Sequence, residues 1–240
     1  MSIKKIINYS PNFNPKKRNS KQIKFIIFHY TGMKKEQGAI NKLTNIQSQV
    51  SCHYLIKNNG DIVVMVPDLY TAWHAGKSSW KNFKSLNNSS IGIEISNPGH
   101  DHNYINFSKK QILSILKLSK FLMKKYNILS KNILGHSDIA PFRKKDPGEK
   151  FPWKRLSKFG IGQWYSLSQN TIKKYRMEKI NSLEEKIFYK NLNKIGYTKK
   201  ILDKKIFISA FQMRYRQDLI NGKIDKECLL ISKNLANKLN

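Results

Sequence analysis

A chain of 240 residues, 40% hydrophobic and 11% aromatic, carries enough apolar side chain for a packed core, which excludes wholesale disorder. Its two cysteines, Cys52 and Cys228, lie far apart and form no Cys-x-x-Cys pair, which argues against a disulfide framework and against a sulfur-ligated metal. The net charge of +30, from 45 basic and 15 acidic residues, attracts polyanions; arginine, the usual reader of base edges, is scarce, and Lys, Asn and Ile abound together, so genome bias ranks above an anionic polymer as the cause.

Residues 1–22 read as an extended, solvated arm. They are basic but lack an apolar h-region, so no signal peptide is legible and the sequence alone points to the cytoplasm. No run reaches the length of a membrane span. IKFIIFHY (23–30) is β-branched and aromatic, a buried strand that ends on His29 and Tyr30. Residues 37–48 have helical character. SCHYLIKNNGDIVVMV (51–66) predicts two strands around the hairpin signal Asn59-Gly60. SSIGIEIS (89–96) alternates, with Ile91, Ile93 and Ile95 on one face and Gly92 and Glu94 on the other.

SKKQILSILKLSKFLMKKYNI (108–128) predicts an amphipathic helix of about five turns. Ser108 and Gln111 suit a capping box, and Ile112, Ile115, Leu116, Ser119, Leu122, Met123 and Tyr126 repeat at helical spacing. KNILG (131–135) is a short strand that delivers His136. The layout is α/β, a mixed central β-sheet flanked by helices, spanning 23–168. Polar residues 169–182 read as a connector. Three amphipathic helical patterns follow near 183–194, 206–217 and 225–239, a small three-helix unit over 183–240.

Six histidines occur, and two of them, His29 and His136, end predicted strands, where a sheet edge opens onto loops. Asp146 follows His136 by ten residues, across a loop broken by Pro141 and closed by Pro147-Gly148. Two imidazoles and a carboxylate suit Zn²⁺ with a position left for water. From chemistry alone, a metal site and an ordinary polar loop weigh equally.

Five blocks in one order tip that balance: FIIFHYT, SCHYLIKNNGDIVVMV, TAWHAGKSSW, NNSSIGIEISNPG and GHSDIAPFRKKDPGEKFPW. Over roughly residues 20–165 the chain resembles the zinc-dependent N-acetylmuramoyl-L-alanine amidases of the amidase-2 family, of the AmiD type, whose fold is shared with peptidoglycan recognition proteins. The resemblance implies one zinc per chain held by His29, His136 and Asp146. It also implies Glu94 as catalytic base and Lys144 as the cation that stabilises the transition state. Tyr30 and His74 are implied as substrate contacts, with Trp73 and Trp80 either flanking the same cleft or buried. Arg143 and Lys145 are expected to be solvated or to meet substrate carboxylates. His53 is expected to be packed or to support the ligands, and His100 and His102 to be exposed.

The activity implied is cleavage of the amide between N-acetylmuramic acid and L-alanine, in peptidoglycan or muropeptides, by a monomer. A non-catalytic muropeptide-binding protein on the same fold is the alternative. Nucleic acid is not expected as a partner, since no motif for it is present. The resemblance places such a protein in the periplasm or at the outer membrane. KIGYT, ISAFQMRYR and NGKIDKECLLISKNL are similar to a small three-helix peptidoglycan-binding domain, which implies that residues 183–240 raise affinity for insoluble peptidoglycan.

Overall fold

The computed structural model describes residues 4–198 and 201–239. In chain order the strands are β1 (Lys5–Ile7), β2 (Phe13–Asn14), β3 (Phe25–Tyr30), β4 (Tyr54–Ile56), β5 (Ile62–Val64), β6 (Thr71–Ala72), β7 (Ser79–Trp80), β8 (Phe83–Lys84), β9 (Ser90–Ile95) and β10 (Ile133–Gly135). The α-helices are α1 (Glu36–Thr44), α2 (Lys109–Tyr126), α3 (His136–Ile139), α4 (Trp153–Ser157), α5 (Gln169–Lys173), α6 (Ser182–Ile195), α7 (Lys204–Tyr215) and α8 (Lys226–Asn237).

Six strands form one sheet in the order β1-β5-β4-β9-β3-β10. Only the hairpin pair β4 and β5 is antiparallel; every other neighbour runs parallel. The interior strands are apolar because both faces are covered, as parallel strands require. On one face Ile26, Phe28, Ile91, Ile93 and Ile95 pack against Ile112, Ile115, Leu118 and Leu122 of α2. Each such side chain, once buried, stabilises the fold by about 1.5–3 kcal/mol. The reciprocal capping box forms between Ser108 and Gln111, and Asn127 ends the helix in the left-handed region at φ 52°.

The opposite face explains where a site can be. At one end, Leu55 and Val63 are covered by Ile40 and Leu43 of α1. At the other, Phe25, Ile27 and Leu134 share a continuous core with Phe188, Leu192, Phe207, Phe211 and Leu229 of the last three helices. Between these two covers the carboxyl-terminal ends of β3 and β9 are left open. In open α/β sheets this is where ligands bind.

Two expectations are corrected. Residues 4–22 are not a solvated arm: β1 pairs with β5 as the edge of the sheet, β2 pairs with β6, and Ser10, Asn12 and Arg18 are buried; residues 1–3 of the expected arm lie outside the described residues. Their donors find protein acceptors: Asn12 Nδ2 donates to the Asn45 and Val50 carbonyls and Arg18 donates to those of Asp68 and Asn87. The polar stretch 169–182 contains α5, whose Ile172 is buried in the shared core.

Candidate metal centre and catalytic cleft

His29 is the last residue but one of β3 and Glu94 is its register partner on β9, so both side chains leave the sheet on the open face. β10 ends at Gly135, and the chain turns at once into α3, whose first residue is His136. The following loop folds back: Arg143 and Lys144 N–H groups donate to the Ala140 carbonyl, and Ser137 N–H donates to the Asp146 carbonyl at 2.8 Å. Arg143 is exposed, as expected, and its guanidinium also donates to the Ala75 and Lys77 carbonyls, which pins the loop.

Three buried donor atoms converge as a result. His29 Nδ1 lies 2.9 Å from His136 Nδ1 and 2.9 Å from Asp146 Oδ2, and His136 Nδ1 lies 3.0 Å from the same oxygen. Among the described residues this is the one group of three or more His, Cys, Asp or Glu side chains placed to share a metal ion. The protonation states suit that use. Burial, with His136 alongside, lowers the His29 pKa to about 4, leaving a neutral imidazole. Burial opposes ionisation of Asp146, but His136 and His29 outweigh it and hold the carboxyl well below the ordinary carboxylate range.

The outer ring nitrogens fix which nitrogen faces the cluster. His136 Nε2 meets the Ala75 carbonyl at 3.1 Å. A carbonyl only accepts, so the proton is on Nε2 and the lone pair is on Nδ1. For His29 the order is set through two further residues. Ser90 donates its hydroxyl proton to the Leu86 carbonyl at 2.6 Å, so its oxygen is left to accept from His74 Nε2 at 3.1 Å. His74 Nδ1 then accepts from His29 Nε2 at 3.0 Å, and His29 presents its lone pair at Nδ1. Burial first, then the neighbouring histidines, keeps His74 neutral, as this order requires. Gly92 makes room for it: a Cβ there would meet the His74 ring at 2.4 Å.

The donor set opens onto a cleft of about 460 Å³ lined by Tyr30, Trp73, Glu94, His100 and Lys144. Burial, reinforced by Asp146, pushes the Glu94 pKa well above the ordinary carboxylate range, while Lys144 and Lys42 pull it down. Glu94 lines the cleft with the metal ligands, and its Oε2 is buried with no hydrogen-bond partner. A buried carboxylate oxygen without a partner is costly unless a ligand completes it.

The structure sorts the remaining aromatic and imidazole residues. Trp73 lines the cleft, whereas Trp80 is buried 5.0 Å from the Tyr197 ring. His53 is fully buried, accepts from Gly92 N–H and faces the Tyr70 carbonyl, so it is packed and takes no part in the donor set. His100 is not in open solvent as its loop suggests: it bridges the Tyr30 hydroxyl at 2.8 Å and Glu149 at 2.9 Å. His102 is exposed. Sequence reasoning missed Ser90 and His100. Ser90 shares the one non-apolar face of β9 with Gly92 and Glu94, and that was the available signal.

The sheet order, the open face and the ligand set together define a class, the amidase-2 fold. A family model described as N-acetylmuramoyl-L-alanine amidase matches residues 19–149, more than half of the chain. The chain is 34% identical over 233 residues to N-acetylmuramoyl-L-alanine amidase AmiD of Escherichia coli, covering 90% of this chain and 83% of that one. It is 34% identical over 164 residues to 1,6-anhydro-N-acetylmuramyl-L-alanine amidase AmpD of Haemophilus influenzae, covering 61% of this chain and 86% of that one. Among solved structures, AmiD from E. coli in complex with anhydro-N-acetylmuramic acid-L-Ala-D-γ-Glu-L-Lys superposes with a TM-score of 0.78, covering 90% of each chain. AmpDh3 from Pseudomonas aeruginosa gives 0.79 at 31% identity, covering 94% of each. The chain belongs to the amidase-2 family.

Proposed function

We propose that the chain is a zinc-dependent N-acetylmuramoyl-L-alanine amidase. It hydrolyses the amide between the lactyl carbonyl of N-acetylmuramic acid and the amine of L-alanine, in peptidoglycan or in muropeptides released from it. The observation that carries this is the convergence of His29, His136 and Asp146 on one point, with Glu94 in the same cleft. Two imidazole nitrogens and one carboxylate oxygen form a set that suits zinc and leaves room for water. Bound there, such an ion supplies Lewis acidity toward a carbonyl oxygen and toward water.

The chain's own residues carry the proton and the charge. Glu94 takes a proton from the attacking water and passes it to the nitrogen of the departing alanine. Its raised affinity for protons lets it hold that proton until the C–N bond opens. The Lys144 ammonium, on the loop that supplies Asp146, stabilises negative charge developing on the carbonyl oxygen. Tyr30, at the cleft wall, is positioned as a substrate contact. His74 offers substrate only its ring edge, because His29 and Ser90 occupy both its nitrogens. Its main role is to orient His29.

The helices of residues 183–240 are proposed to bind the polymer. Support comes from a second cleft of about 610 Å³ that opens beside Lys144, between the 141–145 loop and α7, with Phe142, Ile206 and Met213 as apolar lining and Lys145 and Lys205 as cations.

Mass spectrometry of a defined muropeptide after incubation with zinc-loaded protein tests the activity. The expected products are the intact sugar and a stem peptide with a free L-alanine amine. Glu94→Gln should keep zinc and lose about 10²–10³ in turnover, while Asp146→Ala should lose the metal itself. Tight muropeptide binding with no cleavage by the parent would instead favour the binding-protein alternative.

A further inference from the structure

Arg214 and Tyr197 belong to the C-terminal helical unit, yet both reach the segment that carries His136. Asp138, two residues after His136, is 1% exposed, and its carboxylate has three partners. Oδ2 accepts from Gly135 N–H at 2.7 Å and from the Arg214 guanidinium; Oδ1 accepts from the Tyr197 hydroxyl at 2.8 Å. The other terminal nitrogen of Arg214 donates to the Ile133 carbonyl at 3.1 Å. One guanidinium thus bridges the residue three before His136 and the residue two after it. The planar fork is itself fixed, stacked 4.0 Å from the Trp153 ring.

We propose that Arg214 and Tyr197 are positioning residues for the metal centre, clamping the turn from β10 into α3 so that His136 Nδ1 points at His29 and Asp146. The inference rests on the amidase reading for the identity of the metal only. It gives the C-terminal helices a part in forming the site that is separate from any binding of polymer. The reason is geometric. His136 is the first residue of a four-residue helix, and a turn this short has little structure of its own to hold the ring. Its internal tie from Gly135 N–H to Asp138 depends on outside support: Asp138 is held by Arg214 of α7 and by Tyr197 just after α6, and Ser137 N–H is held by the Asp146 carbonyl.

The test compares three variants with the parent chain. Tyr197→Phe removes one hydroxyl, and Arg214→Lys keeps the charge but loses the fork. Arg176→Met is the control: it breaks ion pairs to Asp218 and Glu227 that lie wholly outside the metal centre. Hydrogen exchange of the metal-free proteins is read at the Gly135 and Ser137 amides, and zinc affinity by competition with a chromophoric chelator. Faster exchange at those two amides in Tyr197→Phe and Arg214→Lys, with zinc affinity down about tenfold in Arg214→Lys, is expected. On the soluble muropeptide, kcat should fall with KM unchanged. Arg176→Met should lower the melting temperature and leave both amides and zinc affinity as in the parent. Parent-like exchange in both clamp variants, or equal acceleration in Arg176→Met at a matched loss of melting temperature, overturns the proposal. A parent that binds no zinc would sink the amidase reading, and the exchange measurement would still decide the clamp.

Discussion

Ser90 carries no chemistry of its own, yet the proton order at the metal centre starts from it. Its hydroxyl gives its proton to Leu86, which leaves its oxygen to accept from His74 and commits His74 to receive from His29. Second partners of this kind commonly tune metal affinity by 10–100-fold. Ser90→Ala should therefore weaken zinc binding by about tenfold, and His74→Phe by more, with the fold retained in circular dichroism. Unchanged affinity in both variants would show that His29 finds its tautomer without help. At this scale the His29, His136 and Asp146 cluster was legible through the family resemblance: strand ends and a carboxylate just before a Pro-Gly turn left an ordinary polar loop equally open, because spacing does not say which side chains meet. Ser90 was not, because a hydroxyl's role depends on which acceptor takes its proton, and that is settled through space. His74 was legible as a site residue but not in its role, since a loop position does not say which neighbours occupy the ring nitrogens.

Elements were read well where one period dominates and poorly where burial is local. Helix α2 shows a long apolar stripe and a cap, both visible in the sequence. The first strand has three residues and only Ile6 packs inward, against the cluster beneath α1, so no alternation could reveal it. Beside this N-terminal stretch lies the buried His53, at the approach to β4. His53 accepts from Gly92 of β9 and faces the Tyr70 carbonyl, with the Arg18 guanidinium 2.9 Å away. Burial, then the charge of Arg18, lowers its pKa to about 3, from 6.5. The folded state therefore binds fewer protons here than the unfolded chain between these values. Stability linked to His53 is complete above about pH 6.5 and drains away as pH falls toward 3. Urea denaturation of the metal-free protein at pH 7, 5.5 and 4.5 should show this loss, and His53→Gln should flatten it after its own fixed destabilisation. An equal slope in His53→Gln would place the acid sensitivity elsewhere.

At the scale of the whole molecule, two properties matter: the packing of the C-terminal helices and the charge of the chain. Each of these helices showed a stripe in the sequence, but a stripe tells only that a partner exists. That the partner is the sheet itself, through Phe25, Ile27 and Leu134, follows from packing alone. The second property is charge. A net +30 draws the chain toward acidic stem peptides over a range of about 8 Å at physiological salt, and that attraction is screened as salt rises. If the cleft beside α7 binds polymer as proposed, it should add a short-range component that salt does not remove, since Phe142, Ile206 and Met213 line it. Co-sedimentation with purified sacculi separates the two. The parent should lose much of its binding on going from about 0.05 to about 0.5 M salt, where the screening length shrinks severalfold, and keep a salt-resistant remainder. Ile206, 45% exposed at the cleft, can be changed without opening the core. Ile206→Ser should lose the remainder while hydrolysing a small soluble muropeptide at the parent rate. If high salt already abolishes binding of the parent, polymer affinity is a matter of charge alone, and the helices serve the protein by shaping the metal centre.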